Sequence, residues 1–232
     1  MNKNILIIGG SSGIGQALVE LLQDSNTIFV ANRTSEGIDT QKVTYIKYDA
    51  IEEPLDTSVL PDQLDGFVYC PGSINLRPFK GLKPETFLKD FEINVLGAVK
   101  SLQAVLKNLL ESPQASIVLF STVAVQTGMP FHASVAAAKG AIEGLTRSLA
   151  AEYAPKFRVN TIAPSITDTP LANKFLNNEV KLEKANERHP LKNIGSAKDI
   201  AHTARFLLSD ESKWMTGQIV HLDGGIGDLK TN

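Results

Sequence analysis

Short apolar runs alternate with helix-length segments along the whole chain, and this alternation restricts the fold more than any other feature. Ile5–Ile8, Thr27–Ala31, Val43–Tyr48, Gly66–Cys70, Ser116–Phe120, Phe157–Ile162 and Gln218–Leu222 read as strands. They are rich in Ile, Val and Phe, and several lack polar alternation, as strands covered on both faces do. Gly15–Gln23, Pro84–Leu110, Ser134–Tyr153 and Ala197–Ser209 are the helix candidates between them. Strands separated by helices imply right-handed crossovers, a parallel sheet and helices on both sides of it. With no Pro/Gly/Ser linker and no repeat, one doubly wound α/β domain over residues 1–232 is expected.

Composition then excludes several classes. Lys and Arg total 23 against 25 Asp and Glu, a net charge of −2 with no basic cluster, so no nucleic-acid partner is expected. The apolar run before Gly9 is too short for a signal-peptide core, and no later run approaches the ~20 residues of a membrane span. A cytoplasmic protein without membrane contact is expected. One cysteine, Cys70, excludes an internal disulfide framework and a multi-cysteine zinc site. His189, His202 and His221 are scattered without metal-ligand spacing, so no metal is expected.

The first strand runs directly into Gly9-Gly10-Ser11-Ser12-Gly13-Ile14-Gly15 and then a helix. Glycines here permit a tight turn and bring a pyrophosphate close to backbone N–H groups at the helix start. The spacing is G-x-x-x-G-x-G rather than G-x-G-x-x-G. The end of the second strand decides between dinucleotides, because an acid there accepts the ribose 2′-hydroxyl of NAD whereas Arg accommodates a 2′-phosphate. Ala31-Asn32-Arg33-Thr34 has no acid before Glu36, and Asn32 and Arg33 suit a phosphate. NADP(H) is therefore the expected cofactor, with NAD(H) as the lesser choice.

Taken in order, these motifs resemble the short-chain dehydrogenase/reductase family over essentially the whole chain. The glycine turn is similar to its cofactor turn, with Ile8 where Thr is usual. Asp49-Ala50 resembles its adenine-contacting Asp-Val pair. Tyr69-Cys70-Pro71-Gly72 occupies the place of its Asn-Asn-Ala-Gly motif, and Asn94 matches its helix asparagine. Pro164-Ser165-Ile166-Thr167-Asp168-Thr169-Pro170 resembles the segment that flanks nicotinamide, with Ser165 replacing a glycine. Thr216-Gly217-Gln218 and Asp223-Gly224-Gly225 match the last strand and its exit. The resemblance implies a Rossmann-like fold of about seven parallel strands. It also implies a cofactor site drawn from Gly9, Ser11, Ser12, Gly13, Ile14, Gly15, Asn32, Arg33, Asp49, Ala50, Pro71, Gly72, Lys139, Pro164, Thr167 and Thr169.

The catalytic signature departs from the family. Its members carry Tyr-x-x-x-Lys, the Lys lowering the tyrosine pKa and holding the nicotinamide ribose, with a Ser about thirteen residues before the Tyr. Lys139 is present here, but four residues before it stands Val135, which has no proton to give. Thr122 takes the serine's place and keeps the hydroxyl that polarises a carbonyl. Three readings stay open. His132, close to two helical turns from Lys139, supplies the proton; a water held by Thr122, Lys139 and Asn94 supplies it; or the chain is a non-catalytic NADP(H)-binding protein, a sensor or an oligomer partner. Tyrosine at the longer spacing resembles enoyl-reductase members, but Asn94 belongs to the ketoreductase-type relay. The substrate implied is a small carbonyl compound or alcohol, and the catalytic set is Lys139, Thr122, Asn94 and His132.

Residues 171–191 are polar and charged and read either as a solvated surface helix or as a lid over a pocket. Cys70 reads as a small buried residue. Ala133, Ala136, Ala137, Ala138, Gly140, Ala141 and Gly144 permit close helix approach, and the resemblance implies a homo-oligomer, a tetramer or a dimer.

Overall fold

The computed structural model describes residues 2–230. β1 (Asn4–Ile8) leads into α1 (Gly13–Leu22), followed by β2 (Thr27–Asn32), β3 (Thr44–Lys47) and β4 (Gly66–Tyr69). Next come α2 (Pro84–Phe91), a π-helical segment Glu92–Leu96, α3 (Gly97–Ala104) and α4 (Leu106–Leu110). β5 (Ala115–Phe120), α5 (Ala124–Thr127), α6 (Ala133–Tyr153) and β6 (Phe157–Pro164) form the next unit. β7 (Thr167–Asp168), α7 (Asn173–Leu176), α8 (Glu179–Arg188), β8 (Gly195–Ser196), α9 (Ala197–Leu208) and β9 (Ile219–Leu222) complete the chain.

Seven strands pair in the order β3-β2-β1-β4-β5-β6-β9, all parallel. The fold is the expected Rossmann-like α/β arrangement with helices on both faces. Alternation along β1 explains the two layers. Leu6 and Ile8 join the core beneath α3, α4 and α6, while Ile5 and Ile7 join the core beneath α1 and α9. Every residue of β5 is buried, and its one hydroxyl, on Ser116, donates to the Leu207 carbonyl of α9 at 2.6 Å. α9 begins at a capping box, with Ser196 and Asp199 satisfying each other's backbone N–H, and buries Ile200, Ala201, Ala204, Leu207 and Leu208. Ile200, Leu207 and Leu208 each contribute about 1.5–3 kcal/mol by leaving water, and the two alanines less.

The single helix expected over Pro84–Leu110 is instead interrupted twice, and both breaks have local causes. Asn94 turns its side-chain amide back to the Asp90 carbonyl at 2.7 Å, and the Gly97 N–H reaches the Glu92 carbonyl five residues back. This widens one turn into a π bulge. Farther on, Val105 leaves the helical region at φ −111°, ψ 10°, so α3 and α4 are separate. The order reversal between β1 and β4 opens a crevice at the carboxyl ends of the strands.

Candidate active site

The turn from β1 to α1 forms one wall of a cleft of about 1010 Å³ in that crevice. Gly9 has φ +82°, and a β-carbon on Gly15 would strike the Gly9 carbonyl, so only glycine closes this turn. Ser12 precedes α1 in an extended conformation and makes no side-chain cap, which leaves the first amides of the helix free to meet an anion. Gly9, Ser11, Ser12, Gly13, Ile14, Gly15, Asn32, Arg33, Asp49, Ala50, Pro71, Gly72 and Thr169 all line this cleft. Asn32 is buried at the end of β2, and both its side-chain atoms lack a partner among the described residues. Arg33 beside it is exposed and makes no ion pair among the described residues, whereas Glu36 does not line the cleft. A buried amide without partners next to a free guanidinium fits a phosphorylated ribose.

Beyond the turn lies a second, mainly apolar cavity of about 410 Å³, lined by Thr122, His132, Val135, Lys139, Pro164, Thr167 and Thr169 among others. The cleft and the cavity share the wall formed by Ile14, Cys70, Gly72, Ser73, Thr169 and Leu171. Lys139 reaches this wall from α6. A β-carbon on Gly72 would lie 3.5 Å from Lys139 Nζ and 3.0 Å from Asn94 Oδ1, so glycine there lets both side chains approach. Only 8% of Lys139 is exposed, and burial pulls its pKa down to about 8 against the opposing influence of Cys70 and Asp90. The Cys70 thiol is pushed up to about 12 by the same burial and stays protonated at neutral pH.

Register places Thr122. β5 and β6 pair as far as Phe120 and Ile162, and the Val123 N–H continues the ladder to the Pro164 carbonyl at 3.0 Å. Thr122 and Ser165 therefore leave adjacent strand ends on the cavity side. Val135, 4% exposed, stands one turn before Lys139 on α6 and lines the cavity with it. His132 is the residue just before α6, so no continuous helix carries it to Lys139. Its Nδ1 lies 2.8 Å from the Pro130 carbonyl, and the ring lines the cavity.

Asn94 lines neither space. It is fully buried, with its amide donating to the Asp90 carbonyl at 2.7 Å and the Ser73 hydroxyl at 3.0 Å. Sequence reasoning missed Asp90 beneath it. Asp90 accepts from Ser73 Oγ at 2.5 Å and Asn75 Nδ2 at 2.7 Å, holding the loop after β4, while its Oδ2 has no partner among the described residues. Its position four residues before Asn94, one helical turn, was the available signal. Also missed was the pairing of Ser165 with His189, whose Nε2 lies 2.8 Å from Ser165 Oγ and whose Nδ1 lies 2.7 Å from the Ala185 carbonyl. These residues lie far apart in sequence, and only the fold joins them. Lys174 Nζ donates to the Ile74 carbonyl at 2.7 Å, tying α7 to the opposite rim.

A glycine-turned crevice joined to a lysine-floored apolar cavity is the arrangement of a nucleotide-dependent oxidoreductase, and the comparisons agree. A family model described as "Enoyl-(Acyl carrier protein) reductase" matches residues 9–227. The chain belongs to the short-chain dehydrogenase/reductase family. It is 31% identical over 240 residues to the 2,5-dichloro-2,5-cyclohexadiene-1,4-diol dehydrogenase of Sphingobium indicum, with 96% of each chain covered. The crystal structure of a short chain dehydrogenase family protein from Francisella tularensis superposes with a TM-score of 0.89 at 29% identity, covering 99% of this chain and 100% of that one. A further relative, the "Inactive 2-(S)-hydroxypropyl-CoM dehydrogenase 2" of Xanthobacter autotrophicus, is 33% identical over 168 residues, 70% of this chain and 73% of that protein. Among the described residues no helix is long and apolar enough to cross a membrane, and no group of metal-ligating side chains assembles.

Proposed function

We propose that this chain is an NADP(H)-dependent oxidoreductase that reduces a small carbonyl compound, or oxidises an alcohol, with an atypical centre in which Val135 replaces the tyrosine acid. The observation that carries this reading is the wall shared by the cleft and the cavity, with Lys139 Nζ approaching it at Gly72. Asn32 and Arg33 would hold the 2′-phosphate, the free amides of α1 the pyrophosphate, and Asp49 and Ala50 the adenine. Pro164, Thr167 and Thr169 would flank the nicotinamide. When bound, that ring supplies the hydride. Lys139 would hold its ribose, and the Thr122 hydroxyl would polarise the substrate carbonyl. The proton would come from the His132 ring or from water in the space beside Val135; Asn94, whose amide is already committed to Asp90 and Ser73, would serve by fixing that loop.

Residues 171–191 are read as the lid, because α7 and α8 contribute Phe175 and Ala185 to the cavity wall. Exposed Leu88, Phe91 and Leu96 on and after α2 suit a face buried in a homo-oligomer, a tetramer or a dimer. A cytoplasmic location is retained with this reading.

Titration with NADPH and NADH, followed by turnover assays on a ketone and alcohol panel, tests the proposal. Tighter binding of NADPH with measurable turnover supports it; absence of binding to either nucleotide sinks it. Val135 itself favours a second reading, a catalytically impaired NADP(H)-binding protein. Tight NADPH binding without turnover on the whole panel would select that reading.

A further inference from the structure

The charges around the cavity are all of one sign. Among the described residues no Asp or Glu lines it, and the charged side chains that do, apart from Lys139 on its floor, are Lys181, Lys184 and Arg188 of α8. Their spacing of three and then four residues puts them on one helix face. Glu179, Glu183 and Glu187, four residues apart, form a separate stripe on the same helix and do not line the cavity. α8 therefore presents a cationic face inward in a chain whose net charge is −2.

Those cations are not neutralised. Among the described residues Lys184 and Arg188 make no ion pair and their side-chain nitrogens donate no hydrogen bond. Lys181 Nζ donates only to neutral oxygens, the Lys174 carbonyl at 3.3 Å and Asn177 Oδ1 at 2.9 Å. The rest of the wall is apolar, with Ile74, Leu76, Met129, Ile166 and Phe175. A low-dielectric wall with charge of one sign at its rim concentrates ligands of the opposite sign.

We infer that the cavity takes an apolar carbonyl or alcohol substrate carrying an anionic group, a carboxylate or a phosphate, which α8 holds through Lys184 and Arg188 with support from Lys181. The reacting group of that substrate rests on the proposed oxidoreductase function; the anion site rests on the wall itself. The apolar body lies between the Thr122 side and α8, so charge selects the substrate at the end remote from the reacting carbon. A neutral analogue loses the α8 contacts and keeps the apolar ones.

Isothermal titration of the purified chain with octanoate, octyl phosphate and octanamide at low salt tests this without requiring turnover. At least one anion should bind about tenfold more tightly than the amide, the strength of one charge-assisted hydrogen bond. Whether carboxylate or phosphate binds better identifies the anion. The preference should shrink with added salt and vanish in the exposed double variant Lys184→Gln, Arg188→Gln. Equal binding of all three probes to the native chain overturns the inference, as does a preference that survives in the double variant. If the anion preference holds while no ketone turns over, the oxidoreductase reading falls and the anion site stands.

Discussion

Ser165 Oγ lies 2.8 Å from Nε2 of His189, joining the exit of β6 to the end of α8 across the cavity. The opposite ring nitrogen faces only a carbonyl, that of Ala185 at 2.7 Å, so Nδ1 carries the proton and Nε2 accepts from the serine. His189 is 1% exposed, so both bonds are sheltered from water. Replacing His189 by Ala should remove both bonds and their packing, destabilising the protein by about 2–4 kcal/mol. Ser165→Ala should lower stability by only about 1 kcal/mol. Thermal unfolding measures the two losses, and proteolysis should cut first within residues 171–191 of the His189 variant. Equal melting temperatures for all three proteins would contradict this role.

The absent acid at Val135 gives the most direct kinetic expectation. A positioned general acid is worth about 10²–10⁴ in rate. Val135→Tyr places a hydroxyl one helical turn from Lys139 in a wall that borders open space. NADPH consumption against a ketone panel should rise by that order. An unchanged rate would mean that the native chain already has an efficient proton source, and His132→Ala should then abolish turnover if that source is the imidazole.

Cofactor choice should turn on one guanidinium. Arg33→Ala should weaken NADPH binding about tenfold or more, as the loss of a charge-assisted pair does, and leave NADH nearly unaffected. Titrations at fixed ionic strength decide the point, because an exposed charge is readily screened. A parallel loss for both nucleotides would show that Arg33 does not meet the 2′ position.

Lys139 ties stability to pH. Burial lowers its folded pKa to about 8, below the ordinary value of 10.5, so between those values the unfolded chain binds more protons than the folded one. Stability relative to a Lys139→Met variant should therefore rise from about pH 8 to pH 10.5, by at most a few kcal/mol. Below pH 8 the difference should level off. Asp90 holds the lysine's pKa up by its charge, so Asp90→Asn should shift that rise to lower pH. Denaturant unfolding across the range reads both effects, and a flat difference would refute the assignment.

The fold was legible because burial on both faces leaves β1, β4 and β5 no polar alternation, a pattern that few architectures accept. The glycine turn was legible because its constraints are local. The long second helix was misjudged where a side chain competes with the backbone: Asn94 captures the Asp90 carbonyl, and helix periodicity carries no trace of that. His132 lies outside the helix expected from Ser134, and α6 indeed starts just after it, so helical spacing alone could not carry its ring to Lys139. Asp90 and the Ser165–His189 pair were hidden for different reasons, the first as an ordinary helix acid and the second by a contact made only in three dimensions. The inward cations of α8 had the right spacing in the sequence but no stated direction until the cavity gave them one.

Several polar groups of the cleft are left unmatched among the described residues: both side-chain atoms of Asn32, one oxygen of Asp90 and the opening amides of α1. Whatever molecule matches them adds its binding free energy to that of folding, by an amount that grows with the logarithm of its concentration. Resistance to unfolding and to degradation is thus set partly outside the polypeptide. If that molecule is the proposed nucleotide, resistance to unfolding should rise with nucleotide concentration.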